Sequence, residues 1–239
     1  MVSAPTQAAY AGQMRQAYQI QLSDLGEHGA RMCMVASNAL RDATAALLNA
    51  DLALAEQVIA TDVRLDEMRA NAENVVLELL ALQAPVASDL RAVVSALWVV
   101  ADIQRMGALA IHVAKAARRR HPAQVIPTEV RPIFERMGSV GVHLADQAAV
   151  LLRKRDLELA EQIQAEDDLM DDLHQALFSA MLAPTWSHGV APAVDISLLG
   201  RFYERFADHA VAVARRVVFL VTGENVGGDT TPAYSPPER

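Results

Sequence analysis

The chain has 239 residues and a formal net charge of −8, a balance that argues against a protein built to grip the phosphate backbone of nucleic acids. Its one cysteine, Cys33, rules out a disulfide within the chain and a Cys-rich zinc site. Hydrophobic residues make up 52 % of the chain but aromatic residues only 5 %, which is typical of helices packed through small side chains and unusual in a β-rich domain.

The first residues, Met1 to Gln21, show no basic start followed by an apolar run, so no signal peptide is predicted. No window of the chain reaches the ~20 uninterrupted apolar residues that span a bilayer. We therefore expect a soluble protein of the cytoplasm.

Ten prolines divide the chain into intervals that helices can occupy, because proline is poorly tolerated inside a helix. Two intervals are too long for one globular helix, and each contains a turn ending in an aspartate suited to cap the next helix. These turns are Asn49-Ala50-Asp51 and Lys154-Arg155-Asp156. The sequence predicts an all-α fold of six helices, arranged as two tandem antiparallel three-helix bundles, within the intervals 6–84, 86–121, 133–183 and 193–231.

The predicted domains are a first three-helix repeat at 8–120, a second at 133–222, and a disordered tail at 223–239 that is rich in Gly, Pro and Thr. A short hinge joins the repeats, which are expected to pack together. Trp98 and Met106 lie eight residues apart, a helical spacing, and are predicted to belong to the core. His209 is predicted to be a partly exposed surface residue.

An internal repeat underlies this division. The segment DLALAEQV at 51–58 matches DLELAEQI at 156–163, which lies 105 residues further on. In the third helix of each copy the offset becomes 100, so that Arg105 corresponds to Arg205. Helices rich in Ala and Leu also align by chance, but a match across three helices favours a duplicated unit of about a hundred residues.

Paired carboxylates are the most informative candidates for chemistry. Residues four apart lie on one face of a helix, where like charges repel by roughly a few tenths of a kcal/mol. If the second and third helices of the second copy face one another, their four carboxylates converge and would suit a hard cation such as Mg²⁺, Ca²⁺, Mn²⁺ or iron. The alternative is a solvated face that is neutralised by nearby arginines, Arg201 and Arg205. The pairs are Asp62 with Asp66, Asp167 with Asp171, and Glu204 with Asp208.

The sequence resembles the PhoU family of phosphate-uptake regulators. The segments DLRAVVSALWVVADIQRM at 89–106 and RFYERFADHAVAVARRVVFL at 201–220 resemble the third helices of that family's two repeats. The likeness covers residues from about 10 to 221.

The resemblance implies a cytoplasmic, non-enzymatic regulator that forms a homodimer, binds no nucleic acid and reaches the membrane only through partners. Its implied partners are the ATPase subunit of the phosphate-specific ABC transporter and the sensor histidine kinase of the phosphate regulon, which it would modulate negatively. The resemblance implies that no cofactor is required, although some members of the family hold metal ions on the carboxylate faces of their bundles.

Carried over residue by residue, the family's Glu-x-x-x-Asp element falls on Glu204 and Asp208. The acids of the preceding helix fall on Asp167 and Asp171. In the first repeat the element is degraded, because Gln104 and Ala108 stand at the positions of its two acids. A divalent metal or iron is therefore expected, if anywhere, in the second repeat, and the first keeps a remnant made of Asp62, Asp66 and Asp102.

Two other functions stay open on the sequence. One is a metal-dependent carboxylate-bundle enzyme, either ferritin-like or a hydrolase. A ferritin-like di-iron enzyme needs Glu-x-x-His on two helices, and the chain offers only the faint likeness Asp171-x-x-His174. The other is a purely structural helical scaffold.

Overall fold

The computed structural model describes the backbone of residues 7–224 and the side chains of residues 20–82 and 84–224. The predicted tail at 223–239 lies outside these described residues except for its first two positions. The described residues form six helices and no strand, which confirms the predicted fold class. The helices are α1 (Gln7–Asn49), α2 (Leu52–Gln83), α3 (Ser88–Arg120), α4 (Arg131–Lys154), α5 (Leu157–Leu182) and α6 (Val190–Thr222).

The helix ends follow local sequence. The side chain of Asp51 accepts a hydrogen bond from the backbone N–H of Leu54 (3.0 Å), and the side chain of Asp156 accepts one from Glu158 (3.0 Å), so both predicted caps are confirmed. Helices α4 and α6 begin before the predicted positions 133 and 193, and each takes a proline into its first turn. A proline is tolerated there because the first N–H groups of a helix have no partner within it.

The turn before each of these caps uses a left-handed backbone at a residue other than glycine, Ala50 (φ 51°) and Arg155 (φ 54°). We expect Ala50→Gly to raise the free energy of unfolding by about 1 kcal/mol, because glycine adopts this conformation without a Cβ clash. Urea denaturation followed by circular dichroism measures the change. The matched control is Ala60→Gly on the exposed face of α2, which should lower stability by about 1 kcal/mol. A loss of stability in Ala50→Gly would contradict the prediction.

The two halves of the chain share one hydrophobic core. Helix α1 packs against α4 and helix α3 packs against α6. Among the six described helices, α2 contacts only α1 and α3, and α5 contacts only α4 and α6. The connection between α3 and α4, predicted as a hinge, contributes Val125, Ile126 and Val130 to the interior. It is therefore anchored to the core, and the two halves are held together by packing along two pairs of helices.

A buried contact joins three helices from both halves. The hydroxyl of Thr44 on α1 donates to the carbonyl oxygen of Leu40 (2.7 Å) and lies 2.9 Å from the hydroxyl of Tyr203 on α6. Helix α4 crosses at Gly138, where an added Cβ would lie 2.7 Å from Cγ2 of Thr44. Since Tyr203 is fully buried, its hydrogen bond to Thr44 is shielded from water.

Trp98 departs from its predicted position in the core. Met106 is fully buried as predicted, but 40 % of Trp98 is exposed. The guanidinium of Arg216 lies 4.6 Å from its ring centroid, and the ring of Phe219 lies 6.1 Å away. Trp98 thus covers the seam between α3 and α6, where a cation on α6 stabilises its outer face.

Helix α3 is the one described helix that is long and apolar enough to cross a membrane by length and composition. Half of its most apolar window is buried inside the bundle. Such burial is the pattern of a core helix in a soluble helical bundle.

Candidate functional site

Helices α5 and α6 bring the four predicted carboxylates of the second repeat to one surface, which we call the α5–α6 acidic face (Asp167, Asp171, Glu204 and Asp208). Burial and the charges of Asp208, Asp171 and Glu204 together raise the pKa of Asp167 to about 6, against an opposing effect of Arg215. Burial also raises the pKa of Glu204, followed by the charge of Asp208. The carboxylates therefore lie close enough to repel one another.

Glu204 has features of both alternatives that the sequence left open, a face neutralised by arginines and a site for a cation. Its Oε1 accepts a hydrogen bond from Arg201, as a neutralised surface would require. Its Oε2 is buried and has no hydrogen-bond partner among the described residues. A buried carboxylate oxygen without a donor is unfavourable, so this atom is the one on the α5–α6 acidic face with most to gain from a bound cation.

No three His, Cys, Asp or Glu side chains in the described part of the chain are arranged so that they could hold a metal ion together. The acidic face thus concentrates oxygen donors without a formed coordination shell. Its donors are the hard oxygen ligands that Mg²⁺, Ca²⁺, Mn²⁺ or iron accept. The residue types fit such a cation, and binding would require the side chains to turn towards it.

His174 lies at the end of this face. Its ring packs beside Gly200 of α6, where an added Cβ would lie 3.0 Å from Cδ2, and its Nε2 is buried without a partner in the described structure. Burial lowers the pKa of His174, and Arg201 lowers it further, so the imidazole is neutral near pH 7. The spacing Asp171-x-x-His174 in the sequence already indicated that His174 lies near Asp171.

The remnant in the first repeat is divided between two surfaces. Asp66 accepts a hydrogen bond from Nε2 of Gln104 (3.2 Å), and the charge of Asp62 acts on His112. Asp102 precedes Gln104 by two residues, about 200° around the helix, and so faces α6 instead. The structure therefore separates Asp102 from the two acids with which the sequence grouped it.

Asp102 on α3 accepts a hydrogen bond from Nδ1 of His209 on α6 (3.0 Å), and its Oδ2 lies 4.0 Å from Nε of Arg216, also on α6. His209 is partly exposed, as predicted, and its contact with Asp102 between the halves adds to that prediction. No local signal could have revealed this contact, because 107 residues separate the two partners.

The acidic face predicts a pH-dependent effect on stability. Asp167 has a pKa of about 6 in the folded chain against 3.8 as its ordinary value, so the folded state binds a proton more readily and its ionised form is destabilising above pH 6. A shift of this size corresponds to about 3 kcal/mol, of which about 1 kcal/mol remains for a half-buried group that solvent screens. We expect Asp167→Asn to stabilise the protein by about 1 kcal/mol at pH 7.5 and to make no difference below about pH 4.

Urea titrations in the presence of a chelator at pH 7.5, 6 and 4 measure this difference. The exposed neighbour Asp168 provides the control, because Asp168→Asn should change stability by less than about 0.5 kcal/mol. A benefit from Asp167→Asn that persists unchanged at pH 4 would show that charge repulsion is not its cause.

Comparison with known proteins finds a matching family model and relatives of high identity. The family model of the PhoU domain matches residues 30–117 and again residues 134–217. The chain is 56 % identical over 219 residues to the "Phosphate-specific transport system accessory protein PhoU homolog 1" of Mycobacterium leprae, covering 92 % of this chain and 99 % of that protein. It is 57 % identical over 210 residues to PhoU homolog 2 of Mycobacterium tuberculosis, covering 88 % and 99 %.

Two crystal structures share the fold. The chain superposes on PhoU from Pseudomonas aeruginosa with a TM-score of 0.76 at 26 % identity, covering 87 % of this chain and 100 % of that one. It superposes on the phosphate transport system regulatory protein PhoU from Streptococcus pneumoniae with a TM-score of 0.78 at 25 % identity, covering 88 % and 99 %.

Proposed function

The chain belongs to the PhoU family, and from that premise we propose that it is a non-enzymatic cytoplasmic regulator that restrains phosphate uptake when phosphate is plentiful. It acts by protein–protein contact on the ATPase subunit of the phosphate-specific ABC transporter and on the sensor histidine kinase of the phosphate regulon. The observation that carries this proposal is an identity of 56 % and 57 %, over 92 % and 88 % of this chain, to proteins named as accessories of the phosphate-specific transport system.

Deletion of the gene tests the regulatory role. Phosphate uptake and phosphate-starvation transcripts should rise in phosphate-rich medium, and the chain supplied from a plasmid should restore repression. Normal regulation in a deletion strain that has no close paralogue would overturn the proposal.

Recovery of partners tests the mechanism. The tagged full-length chain should retain the transporter ATPase subunit or the sensor kinase from membranes of cells grown at high phosphate. Recovery of neither would favour a structural scaffold or an enzyme. Light scattering of the purified chain would test the proposed homodimer, which should have about twice the mass of 25.8 kDa.

A divalent cation or iron on the α5–α6 acidic face is a second proposal. Its support is the unpartnered buried Oε2 of Glu204 and the mutual repulsion of the four carboxylates. Asp167, Asp171, Glu204 and Asp208 would hold the cation, which would add positive charge to that of Arg201 and Arg215 and so link α5 to α6.

Metal analysis of protein purified without chelator tests the site. Bound metal should be lost in the double variant Glu204→Ala/Asp208→Ala and kept in the variant Asp62→Ala/Asp66→Ala of the first repeat. Retention of stoichiometric metal by the first double variant would remove this proposal and leave the regulatory role unaffected.

A further inference from the structure

The duplication has produced two grooves at equivalent positions with different surfaces. The α1–α2 groove has a volume of about 550 Å³, and its rim and floor include Arg31, Met34, Asn38, Thr61, Arg64 and Met68. The α4–α5 groove has a volume of about 320 Å³ and is lined by Arg136, Ser139, His143, Glu166 and Leu169 among others. The offset of 105 residues relates Arg31 to Arg136, Asn38 to His143, Thr61 to Glu166 and Arg64 to Leu169.

Side chains of α4 and α5 bridge the second groove. Nε2 of His143 on α4 lies 3.2 Å from Oε2 of Glu166 on α5. Nε2 of Gln147 lies 3.0 Å from that imidazole nitrogen and donates to Oε1 of Glu166 (3.4 Å). His143, Gln147 and Glu166 are therefore joined to one another across the α4–α5 groove.

In the first groove the equivalent residues that the structure describes do not bridge the helices, because they bond within their own helices; the hydrogen bond from His28 to Met68 joins α1 and α2 at one end of the groove. Thr61 donates to the carbonyl oxygen of Val58 on α2 (2.7 Å), and Asn38 accepts from Arg41 on α1. Met34 of α1, which also lines this groove, is 47 % exposed. The α1–α2 groove thus presents an open apolar floor with polar edges, the composition of a binding site.

The positive charges of the α1–α2 groove are concentrated at one end. Helices α1 and α2 run antiparallel, and Nε2 of His28 donates to the carbonyl oxygen of Met68 (2.8 Å), so Arg31 and Arg64 share that end. Arg31 has a solvent-exposed pairing with Glu27 at 3.8 Å, which contributes little. No carboxylate among the described residues forms an ion pair with Arg64, and the second groove has Leu169 in its place. Asp42 lies at the opposite end of the groove.

The shape and the charges select one kind of occupant. The groove follows α1 from Arg31 to Asp42, a length of about 16 Å or three helical turns, which suits a helix laid between two helices. A helix carries partial negative charge at its C-terminus and partial positive charge at its N-terminus. Its C-terminal end would therefore meet Arg31 and Arg64, and its N-terminal end would meet Asp42.

We infer that the α1–α2 groove docks an amphipathic helix of a protein partner, with the acidic C-terminal end of that helix against Arg31 and Arg64. This inference rests on the proposed function only in requiring that the partner is a protein. It specifies the surface that the partner uses and the chemistry of the segment that binds there.

Site-specific crosslinking in the full-length chain provides the first test, because the repeat supplies a matched control position. A photo-reactive amino acid replaces Met34 in one variant and the equivalent exposed residue Ser139 in another. In membranes from cells grown at high phosphate, the variant at position 34 should form an adduct whose mapped partner peptide is helical, apolar on one face and acidic near its C-terminal end. Equal adducts at both positions, no adduct specific to position 34, or a mapped segment without acidic residues would overturn the inference.

Affinity for the mapped segment provides the second test. A labelled synthetic peptide of that sequence is titrated with the purified chain and followed by fluorescence anisotropy. Arg31→Glu/Arg64→Glu should raise the Kd about tenfold or more, whereas Arg136→Glu in the second groove should leave it unchanged. A peptide with its terminal acids changed to lysine should regain affinity for the Arg31→Glu/Arg64→Glu variant, which a merely misfolded variant could not provide.

A variant that bridges the α1–α2 groove tests the inference independently of Arg31 and Arg64. Asn38→His/Thr61→Glu installs the bridge of the second repeat and should weaken peptide binding about tenfold while circular dichroism stays unchanged. Unchanged affinity in both groove variants would overturn the inference while recovery of the transporter ATPase or sensor kinase by the wild-type chain upholds the proposed function. Recovery of neither protein by the wild-type chain would instead count against the proposed function itself.

Discussion

Gly138→Ala is expected to lower the free energy of unfolding by about 2 kcal/mol, although alanine is the better helix former. The new Cβ would lie 2.7 Å from Cγ2 and 2.8 Å from Oγ1 of Thr44. Thr44 cannot rotate away without breaking its hydrogen bonds to Leu40 (2.7 Å) and Tyr203 (2.9 Å). Overpacking of about 3 kcal/mol therefore exceeds the gain of about 1 kcal/mol in helix propensity. Urea denaturation monitored by circular dichroism measures the net change.

Gly107 supplies the matched control for this prediction. An added Cβ there would also meet a neighbouring side chain closely, but the contact is with the terminal methyl group of Leu65, and the next atom is 3.5 Å away. A terminal methyl group can turn aside, so Gly107→Ala should cost less than half as much as Gly138→Ala. Equal losses in the two variants would show that the fixed position of Thr44 is not the cause.

Thr44→Val is the second change with a large expected effect, again about 2 kcal/mol of lost stability. Valine keeps the shape of threonine but removes the hydroxyl, so the buried hydroxyl of Tyr203 loses its described partner. Burial raises the pKa of Tyr203, which stays protonated and cannot escape the penalty by ionising at neutral pH. An unsatisfied buried hydroxyl costs about 1–3 kcal/mol.

Tyr203→Phe tests the asymmetry that this explanation requires. The hydroxyl of Thr44 would still donate to the carbonyl oxygen of Leu40, so the loss should be about 1 kcal/mol or less. The double variant Thr44→Val/Tyr203→Phe buries no orphaned hydroxyl and should be more stable than the sum of the single losses indicates. If Tyr203→Phe proved as costly as Thr44→Val, the satisfaction of hydrogen bonds would not explain the effect.

The number and type of the helices were predictable because the signals are local. The aspartates at 51 and 156 bond to N–H groups two or three residues away, and prolines act on the turn in which they stand. Helices α4 and α6 begin before their predicted intervals, because the first turn of a helix tolerates a proline. Residues four apart in a helix lie on one face, so the positions of Asp167 and Asp171 on a common face were also predictable.

The pairing of faces from different helices depends on tertiary packing. Asp102 and Gln104 are two residues apart, but one contacts His209 of α6 and the other Asp66 of α2. Trp98 has the spacing of a core residue, yet it lies at the edge of the seam between α3 and α6. Periodicity identifies an apolar stripe but not its margin, which is set by where the neighbouring helix lies.

The sequence alone was sufficient for the six helices, the aspartate caps of α2 and α5, the duplication and the acidic pairs of the second repeat. Each of these depends on residues within a few positions of one another or on direct self-similarity. Only the tertiary structure showed that the halves share one core, that Gly138 must stay small beside Thr44, and that equivalent grooves are open in one repeat and bridged in the other. These features depend on distances between residues that are about a hundred positions apart. Such distances follow from how complementary helix faces pack, and no local pattern encodes them.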